Sequence, residues 1–261
     1  MNYKFCARTD PGRTRENNED SVAFDDATNL GVLADGMGGY NAGEIASGMA
    51  TAFIKSELSR WLAQAGIQAR AGEVRRAMEI CVDNANRSIY NASNFNPQYA
   101  GMGTTLVVGV FQGDTLTLGH IGDSRCYRLR SNELARITRD HSLLQEQMDA
   151  GLLTPEQAAT SSNKNLVTRA LGVEDAVLLE LHEHHVEAGD IYLMCSDGLS
   201  DMMDDAAIAQ IMQSGSLLEQ MADELVAAAN GNGGRDNISV LLTQVEAPAG
   251  KRGLISRLLG K

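Results

Sequence analysis

Residues 104–137 read TTLVVGVFQGDTLTLGHIGDSRCYRLRSNELARI, and this stretch decides the fold class. Its apolar and β-branched residues form four short runs: Thr104 to Phe111, Thr115 to Ile121, Arg125 to Leu129 and Leu134 to Ile137. Gln112-Gly113-Asp114 between the first two is a hairpin signal. No segment between the runs is long enough for a crossover helix, so neighbouring strands are expected to be antiparallel. Upstream, Ser21-Val22-Ala23-Phe24 and Leu30-Gly31-Val32-Leu33-Ala34 read as two more strands, the second ending in Asp35-Gly36. Two amphipathic helices separate them from the central stretch. Ile45, Met49, Phe53, Ile54, Leu58, Trp61 and Leu62 recur at helical spacing in the first, and Val74, Ala77, Met78, Cys81, Ala85 and Ile89 in the second. Asn41 followed by Glu44 resembles a capping box for the first helix. Downstream, residues 142–170 are polar and mixed, with short helical patches. Strands from Val177 to Val186 and from Ile191 to Cys195 flank the turn Ala188-Gly189-Asp190. A helix carrying Leu217, Leu218, Met221, Leu225 and Val226 ends near Gly231, and a last strand runs from Ile238 to Val245. Strands come in groups and helices in pairs. That pattern predicts an α+β architecture of packed sheets with helices outside, not a doubly wound parallel sheet.

The chain has 261 residues, enough for one large core or two small domains. With 4 prolines and no Ser/Gly/Pro-rich linker, one domain is the simpler reading. A net charge of -12 argues against nucleic acid, whose phosphates are bound through clustered Lys and Arg. It leaves two readings of the acids: a solvated surface, or carboxylates that face inward and hold cations. No apolar leader follows Met1 and no run of 18 apolar residues occurs, so neither a signal peptide nor a membrane span is expected. Cys6, Cys81, Cys126 and Cys195 lie far apart and form no C-x-x-C pair. They read as reduced thiols of a cytoplasmic protein.

Three acids share one kind of place. Asp35 ends an apolar strand and precedes Gly36-Met37-Gly38-Gly39. Asp197 follows Tyr192-Leu193-Met194-Cys195-Ser196 and precedes Gly198, and Asp236 lies between a glycine-rich turn and the last strand. An acid beside glycine at a strand end can be plain turn chemistry. Several such acids on rigid strand ends also suit a hard cation such as Mg²⁺ or Mn²⁺, which takes oxygen ligands.

A set of motifs then occurs in order from about residue 8 to 245: Arg13-Thr14-Arg15-Glu16-Asn17-Asn18-Glu19-Asp20-Ser21, Asp35-Gly36-Met37-Gly38-Gly39, Gly101-Met102-Gly103-Thr104-Thr105, Gly119-His120-Ile121-Gly122-Asp123-Ser124-Arg125, Asp140-His141-Ser142, Cys195-Ser196-Asp197-Gly198-Leu199 and Asp236-Asn237. The ordered set resembles the metal-dependent serine/threonine protein phosphatase family (type 2C) in its bacterial form. The resemblance implies an αββα sandwich, two antiparallel sheets packed face to face and each covered by a helix pair. It implies a catalytic domain over residues 1–247 and a basic tail over 248–261, read as frayed. It makes Asp35 the bridge between two Mn²⁺ or Mg²⁺ ions, with the Gly36 carbonyl on the second and Asp197 and Asp236 on the first. Glu19 and Asp20 would act through metal-bound waters, Arg15 would clamp the substrate phosphate, and Asp123 with Asp197 would hold an optional third ion. A water shared by the ions would attack phosphorus in line, without a phosphoenzyme. Eukaryotic relatives carry a proton-donating His where this chain has Met37, so the donor here is expected to be a metal-bound water. Phosphoproteins would be the substrates and a bacterial serine/threonine kinase the opposing partner.

Other patterns carry less. Cys81 and Arg87 have the C-x5-R spacing of cysteine phosphatases, but they fall in a helical stripe without the glycine loop such chemistry needs. His182-Glu183-His184-His185 reads as a solvated strand, because His182 and His184 share a face and His185 points away. His120 and His141 lie in motifs without needing to touch metal, and Cys195 reads as a buried thiol. Residues 152–165 correspond to the family's flap beside the site. Two rival functions stay open: a phosphatase-like binding module that has lost catalysis, and a hydrolase of small phosphoesters.

Overall fold

The structure, a computed structural model, describes residues 1–39, 42–66, 69–154, 157 and 166–248. Its strands are β1 (Asn2–Asp10), β2 (Asp20–Asp25), β3 (Leu30–Met37), β4 (Gly103–Thr104), β5 (Leu106–Gln112), β6 (Thr115–Ile121), β7 (Arg125–Arg130), β8 (Glu133–Arg136), β9 (Glu180–His185), β10 (Ile191–Cys195) and β11 (Ile238–Glu246). Its helices are α1 (Ala42–Ala65), α2 (Ala71–Phe95), α3 (Leu143–Asp149), α4 (Asp197–Ser200), α5 (Asp205–Met212) and α6 (Leu218–Gly231), with a 3₁₀ turn at Pro97–Tyr99. One sheet runs β1-β11-β10-β7-β8; the other runs β2-β3-β5-β6-β9, with β4 on β3. Every pairing is antiparallel.

Three apolar layers hold the sandwich together. Between the sheets, Leu33, Phe111, Leu116, Tyr192, Met194 and Leu241 interlock. Phe111 meets Tyr192 edge to face with centroids 5.3 Å apart. Outside one sheet, α1 and α2 bury Ile54, Leu58, Met78 and Ile89 against Val32 and Val108. Outside the other, α5 and α6 bury Ile208, Met212, Met221 and Leu225 against Leu193 and Val240. Each such side chain contributes about 1.5–3 kcal/mol when fully withdrawn from water. The layer order is helix, sheet, sheet, helix, as the motif resemblance implies.

Several expectations shift. β1 was not anticipated, although Tyr3, Phe5 and Ala7 alternate with Lys4, Cys6 and Arg8; it pairs along its whole length with β11, Asn2↔Glu246 through Asp10↔Ile238, and packs Tyr3, Phe5 and Ala7 against the layer between the sheets. The expected strand from Val177 is shorter and begins at Glu180, where pairing with His120 begins. Beyond that point Gly122, at φ +99°, turns the partner chain away. The buried face of α1 also differs. Ala46, Ala50 and Thr51 are buried together with Ile54, whereas Ile45, Met49, Phe53 and Trp61 are only partly covered. Small residues let the helix approach the sheet closely, a demand that hydrophobic spacing does not report. Leu217, expected in the α6 stripe, is exposed at its N-terminus. Asn41 of the expected capping box, most of the 152–165 segment and residues 249–261 lie outside the described residues.

Candidate metal centre

The two sheets put acids side by side at one end of the sandwich. The β2–β3 register sets Asp20 opposite Asp35. Asp197 opens α4 at the end of β10, and Asp236 directly precedes the turn into β11. The Ser196 amide donates to the Ser239 carbonyl (3.1 Å), which holds these two chain ends together. Asp123 comes from the β6–β7 connection. Asp35, Asp123, Asp197 and Asp236 each keep part of their surface open, so the group is reachable from solvent.

The charge at this end is unbalanced. Burial, then Asp20, Asp197, Asp123 and Asp236, push the Asp35 carboxyl well above the usual range. Burial, then Asp123, Asp201, Asp236 and Asp20, do the same to Asp197. Burial raises Asp123 to about 6, helped by Asp140. Asp20 is also raised to about 6, chiefly by burial. One Asp20 oxygen accepts from the Ser196 hydroxyl (2.7 Å), while the other is buried without a hydrogen-bond partner. Carboxylates crowded in this way either take up protons or take up cations. An all-oxygen donor set with an orphaned buried oxygen fits a hard divalent ion.

The backbone around these acids is tightly specified. Asp35 donates its amide to the Thr105 hydroxyl (3.0 Å), and its carbonyl accepts from the Thr105 amide (2.9 Å) and the Thr104 hydroxyl (2.9 Å). The Thr105 hydroxyl in turn pairs with that of Ser124 (2.7 Å), beside Asp123. Asn237 accepts the Glu19 amide (2.7 Å) and donates to the carbonyls of Pro11 (3.0 Å) and Asn17 (2.8 Å), tying the loop that bears Arg15 to Asp236. Two glycines are required by contact. A Cβ on Gly36 would stand 2.1 Å from the Gly43 carbonyl oxygen, and one on Gly198 would stand 2.0 Å from that of Asn237. The Glu19 carboxylate lies over the start of α1, where a Cβ on Gly43 would meet it at 2.7 Å. A helix N-terminus favours that negative charge.

All the sequence-selected residues gather here. Arg15 forms an ion pair with Asp236 (2.7 Å) and is half exposed, so this cation is shared with the acid cluster and not held apart for substrate. The motif partners Thr105, Ser196 and Asn237 had no role assigned from sequence. Their neighbourhood to the acids in the motifs was the available signal.

The second motif pair forms a clamp. Arg125 reaches Asp140 with Nε at 3.1 Å from both oxygens and Nη2 at 2.7 Å from one. The His141 amide donates to the Gly122 carbonyl (2.9 Å), and the Gly122 amide donates to His141 Nδ1 (3.1 Å). His141 Nε2 therefore carries the proton and donates to Glu180 (3.0 Å). His120 Nε2 faces the Arg139 carbonyl (2.8 Å), which leaves its Nδ1 buried without a partner. Ligand atoms of His120, His141 and Glu180 lie within 4.8 Å of one another. The geometry does not suit an ion: the imidazoles stack at 4.7 Å and 11°, and lone pairs in two parallel ring planes do not converge. His182 Nε2 donates to Glu180 (2.8 Å) and is half exposed. Its ring neighbours that of His184 (6.3 Å), in keeping with a shared strand face.

The four cysteines are free and buried. Burial pushes the Cys81 and Cys195 thiols up to about 12. Arg87 pairs with Asp83 on its own helix (3.1 Å), so the Cys81/Arg87 spacing builds no phosphate loop.

Comparisons with known proteins agree with this geometry. Residues 12–241 match the family model described as protein phosphatase 2C. The chain is 40% identical over 243 residues to the serine/threonine protein phosphatase PstP of Mycobacterium tuberculosis, covering 93% of this chain and 45% of that protein. It therefore spans less than half the length of that relative. It is 35% identical over 240 residues to the serine/threonine phosphatase stp of Listeria monocytogenes, covering 91% of this chain and 94% of that one. Among solved structures, the Mycobacterium tuberculosis phosphatase PstP/Ppp superposes with a TM-score of 0.86 at 37% identity, covering 95% of this chain and 100% of the other. The PstP catalytic domain in complex with 2 manganese ions gives 0.81 at 38% identity, covering 94% and 99%.

Proposed function

The chain belongs to the protein phosphatase 2C family, and from that premise we propose that it hydrolyses phosphoserine and phosphothreonine in proteins with the help of divalent metal ions. The observation that carries this reading is the crowding of Asp20, Asp35, Asp123, Asp197 and Asp236 at one end of the sandwich, where mutual repulsion and burial raise Asp35 and Asp197. In this reading Asp35, Asp197 and Asp236 would hold one Mn²⁺ or Mg²⁺ ion, and Asp35 with the Gly36 carbonyl would hold a second. Asp123 with Asp197 offers a place for a third. Bound there, such ions lower the pKa of a water and offset charge on the phosphoryl oxygens.

The chain's own groups do the rest. Glu19 and Asp20 flank the ligands and would accept hydrogen bonds from metal-bound waters. Arg15 swings from its exposed ion pair with Asp236 to the phosphate, which its planar fork can grip with two parallel hydrogen bonds. Met37 has no proton to give, so the leaving oxygen takes its proton from water and not from this side chain. A binding module without catalysis has no need of the full carboxylate set, which weighs against that alternative. A bacterial serine/threonine kinase is the natural opposing enzyme, and a cytoplasmic setting suits four reduced thiols. None of the described helices is long and apolar enough to cross a membrane.

The test is phosphate release from a phosphothreonine peptide with Mn²⁺, without metal, and after EDTA. Metal-dependent release that EDTA abolishes is expected. A folded protein with no release under any divalent ion would return the binding-module reading.

A further inference from the structure

Next to the acid cluster the fold leaves a cleft of about 750 Å³, lined by Gly39, Glu44, Ile45, Pro97, Gln98 and Tyr99. Backbone pairing places it there. β4 pairs with the end of β3, Gly36↔Thr104 and Met37↔Gly103, so the segment just before β4 lies alongside the residues that follow Asp35. The 3₁₀ turn at 97–99 is thereby held against α1 and α2. Its own hydrogen bonds fix it: the Tyr99 amide donates to the Asn96 carbonyl (2.9 Å), and the Met102 amide donates to the Tyr99 carbonyl (3.0 Å). Tyr99 and Ile45 pack half-buried against the α1/α2 core, so the cleft has a braced aromatic and aliphatic wall.

Glu44 supplies the charge. It is exposed in the first turn of α1, directly after Gly43, the residue over which the Glu19 carboxylate lies. The acidic charge thus continues into the cleft, and none of the described lining residues is cationic. Apolar walls, an aromatic ring and a carboxylate at the rim suit a long aliphatic stem with a positive head. An acidic residue would be repelled by Glu44 and Glu19 together.

We propose that this cleft receives the side chain of a lysine or arginine flanking the phosphoresidue of a protein substrate. The proposal rests on the phosphatase reading and adds a sequence preference to it. Glu44 takes the charge, while Tyr99 and Ile45 take the stem. The site thereby separates phosphoproteins from small phosphoesters, which present nothing to the cleft.

The test compares two phosphothreonine peptides, one with arginines and one with glutamates beside the phosphoresidue, with p-nitrophenyl phosphate as a substrate that has no peptide. All assays use the full chain with Mn²⁺. The wild type is expected to favour the arginine peptide in kcat/KM by about tenfold, as one desolvated charge and one ring contact together provide. Glu44→Lys should abolish or invert that preference, and Tyr99→Ala should weaken it, with turnover of p-nitrophenyl phosphate unchanged in both. Glu44→Lys is an exposed change with little bearing on folding, so it stands even if Tyr99→Ala is unstable. A wild type without preference, or a preference that survives Glu44→Lys, overturns the inference while p-nitrophenyl phosphate hydrolysis keeps the phosphatase reading. A wild type that hydrolyses none of the three overturns both.

Discussion

The molecule assembles two clusters of metal-ligand residue types a few residues apart in the chain, and they behave oppositely. At the sandwich end, Asp20, Asp35, Asp123, Asp197 and Asp236 repel one another, and an Asp20 oxygen is left without a partner. One connection away, His141 and Glu180 are already satisfied by Gly122 and by each other, and His120 is held by Arg139. Residue type alone would nominate both. What separates them is where the lone pairs go. In the first cluster the acids converge on a single half-exposed cation, Arg15, and in the second all but the His120 Nδ1 lone pair are spent on hydrogen bonds, among them those that fix the loop bearing Asp123. A cluster of ligand types is a binding site only when the donors left over after folding also converge, which the parallel rings of His120 and His141 do not allow.

The sharpest way to break this contrast is to remove donors from the first cluster. Asp35→Asn and Asp236→Asn should each cut metal-dependent turnover by about three orders of magnitude, because each removes a charged oxygen from a site whose ions contribute several kcal/mol. The same Asp35→Asn should raise the metal-free melting temperature, since it relieves repulsion. Calorimetry without and with Mn²⁺ reads both effects, and an unchanged or lower metal-free Tm would show that the acids are not in conflict.

Arg15→Ala should act on substrate more than on chemistry, with KM for a phosphopeptide rising about tenfold and kcat nearly kept. Steady-state kinetics decides, and a fall in kcat at constant KM would contradict a binding role.

In the histidine cluster a loss should appear as stability. His141→Ala leaves the Gly122 amide without its partner and Glu180 with His182 alone, and should cost about 1–3 kcal/mol in urea unfolding. The Mn²⁺-induced rise in Tm should persist, which a metal-holding His141 would not allow.

The smallest expected effect is on the acid limb of stability. Burial works to raise the Glu180 carboxyl, but hydrogen bonds from His141 and His182 outweigh it and hold it down at about 2. Its folded pKa lies below its unfolded value, so its contribution is full above about pH 4.3 and fades as pH falls toward 2. Glu180→Gln should flatten the stability profile across that window and leave the neutral region's slope alone. Equal acid slopes in the two proteins would mean that the pair contributes nothing.

Much of this was legible in the chain. The four strand runs of residues 104–137 and the two long helices were readable because alternation and helical spacing are local properties. Asp35, Asp197 and Asp236 stood out by position at strand ends. Asp123, Glu19, Asp20 and Arg15 were reachable only through the motif resemblance, since nothing in their immediate neighbours distinguishes them from surface polar residues. β1 was passed over although Tyr3, Phe5 and Ala7 alternate with Lys4, Cys6 and Arg8, and the close-packed face of α1 was misjudged because alanines carry a weak hydrophobic signal.

The sequence by itself determined the element types, the antiparallel class and the identity of the acids, because these depend on patterns a few residues long. Only the tertiary structure decided that Asp20 stands opposite Asp35, that Asn237 ties the Arg15 loop to Asp236, that the histidines lock a loop, and that a cleft with Glu44 opens beside the acids. Those facts depend on register and on contacts between segments far apart in the chain, such as Asn17 and Asn237 at a separation of 220. A one-residue slip between β2 and β3 would part Asp20 from Asp35, so which charges meet is set by the pairing of whole strands and not by any short stretch of chain.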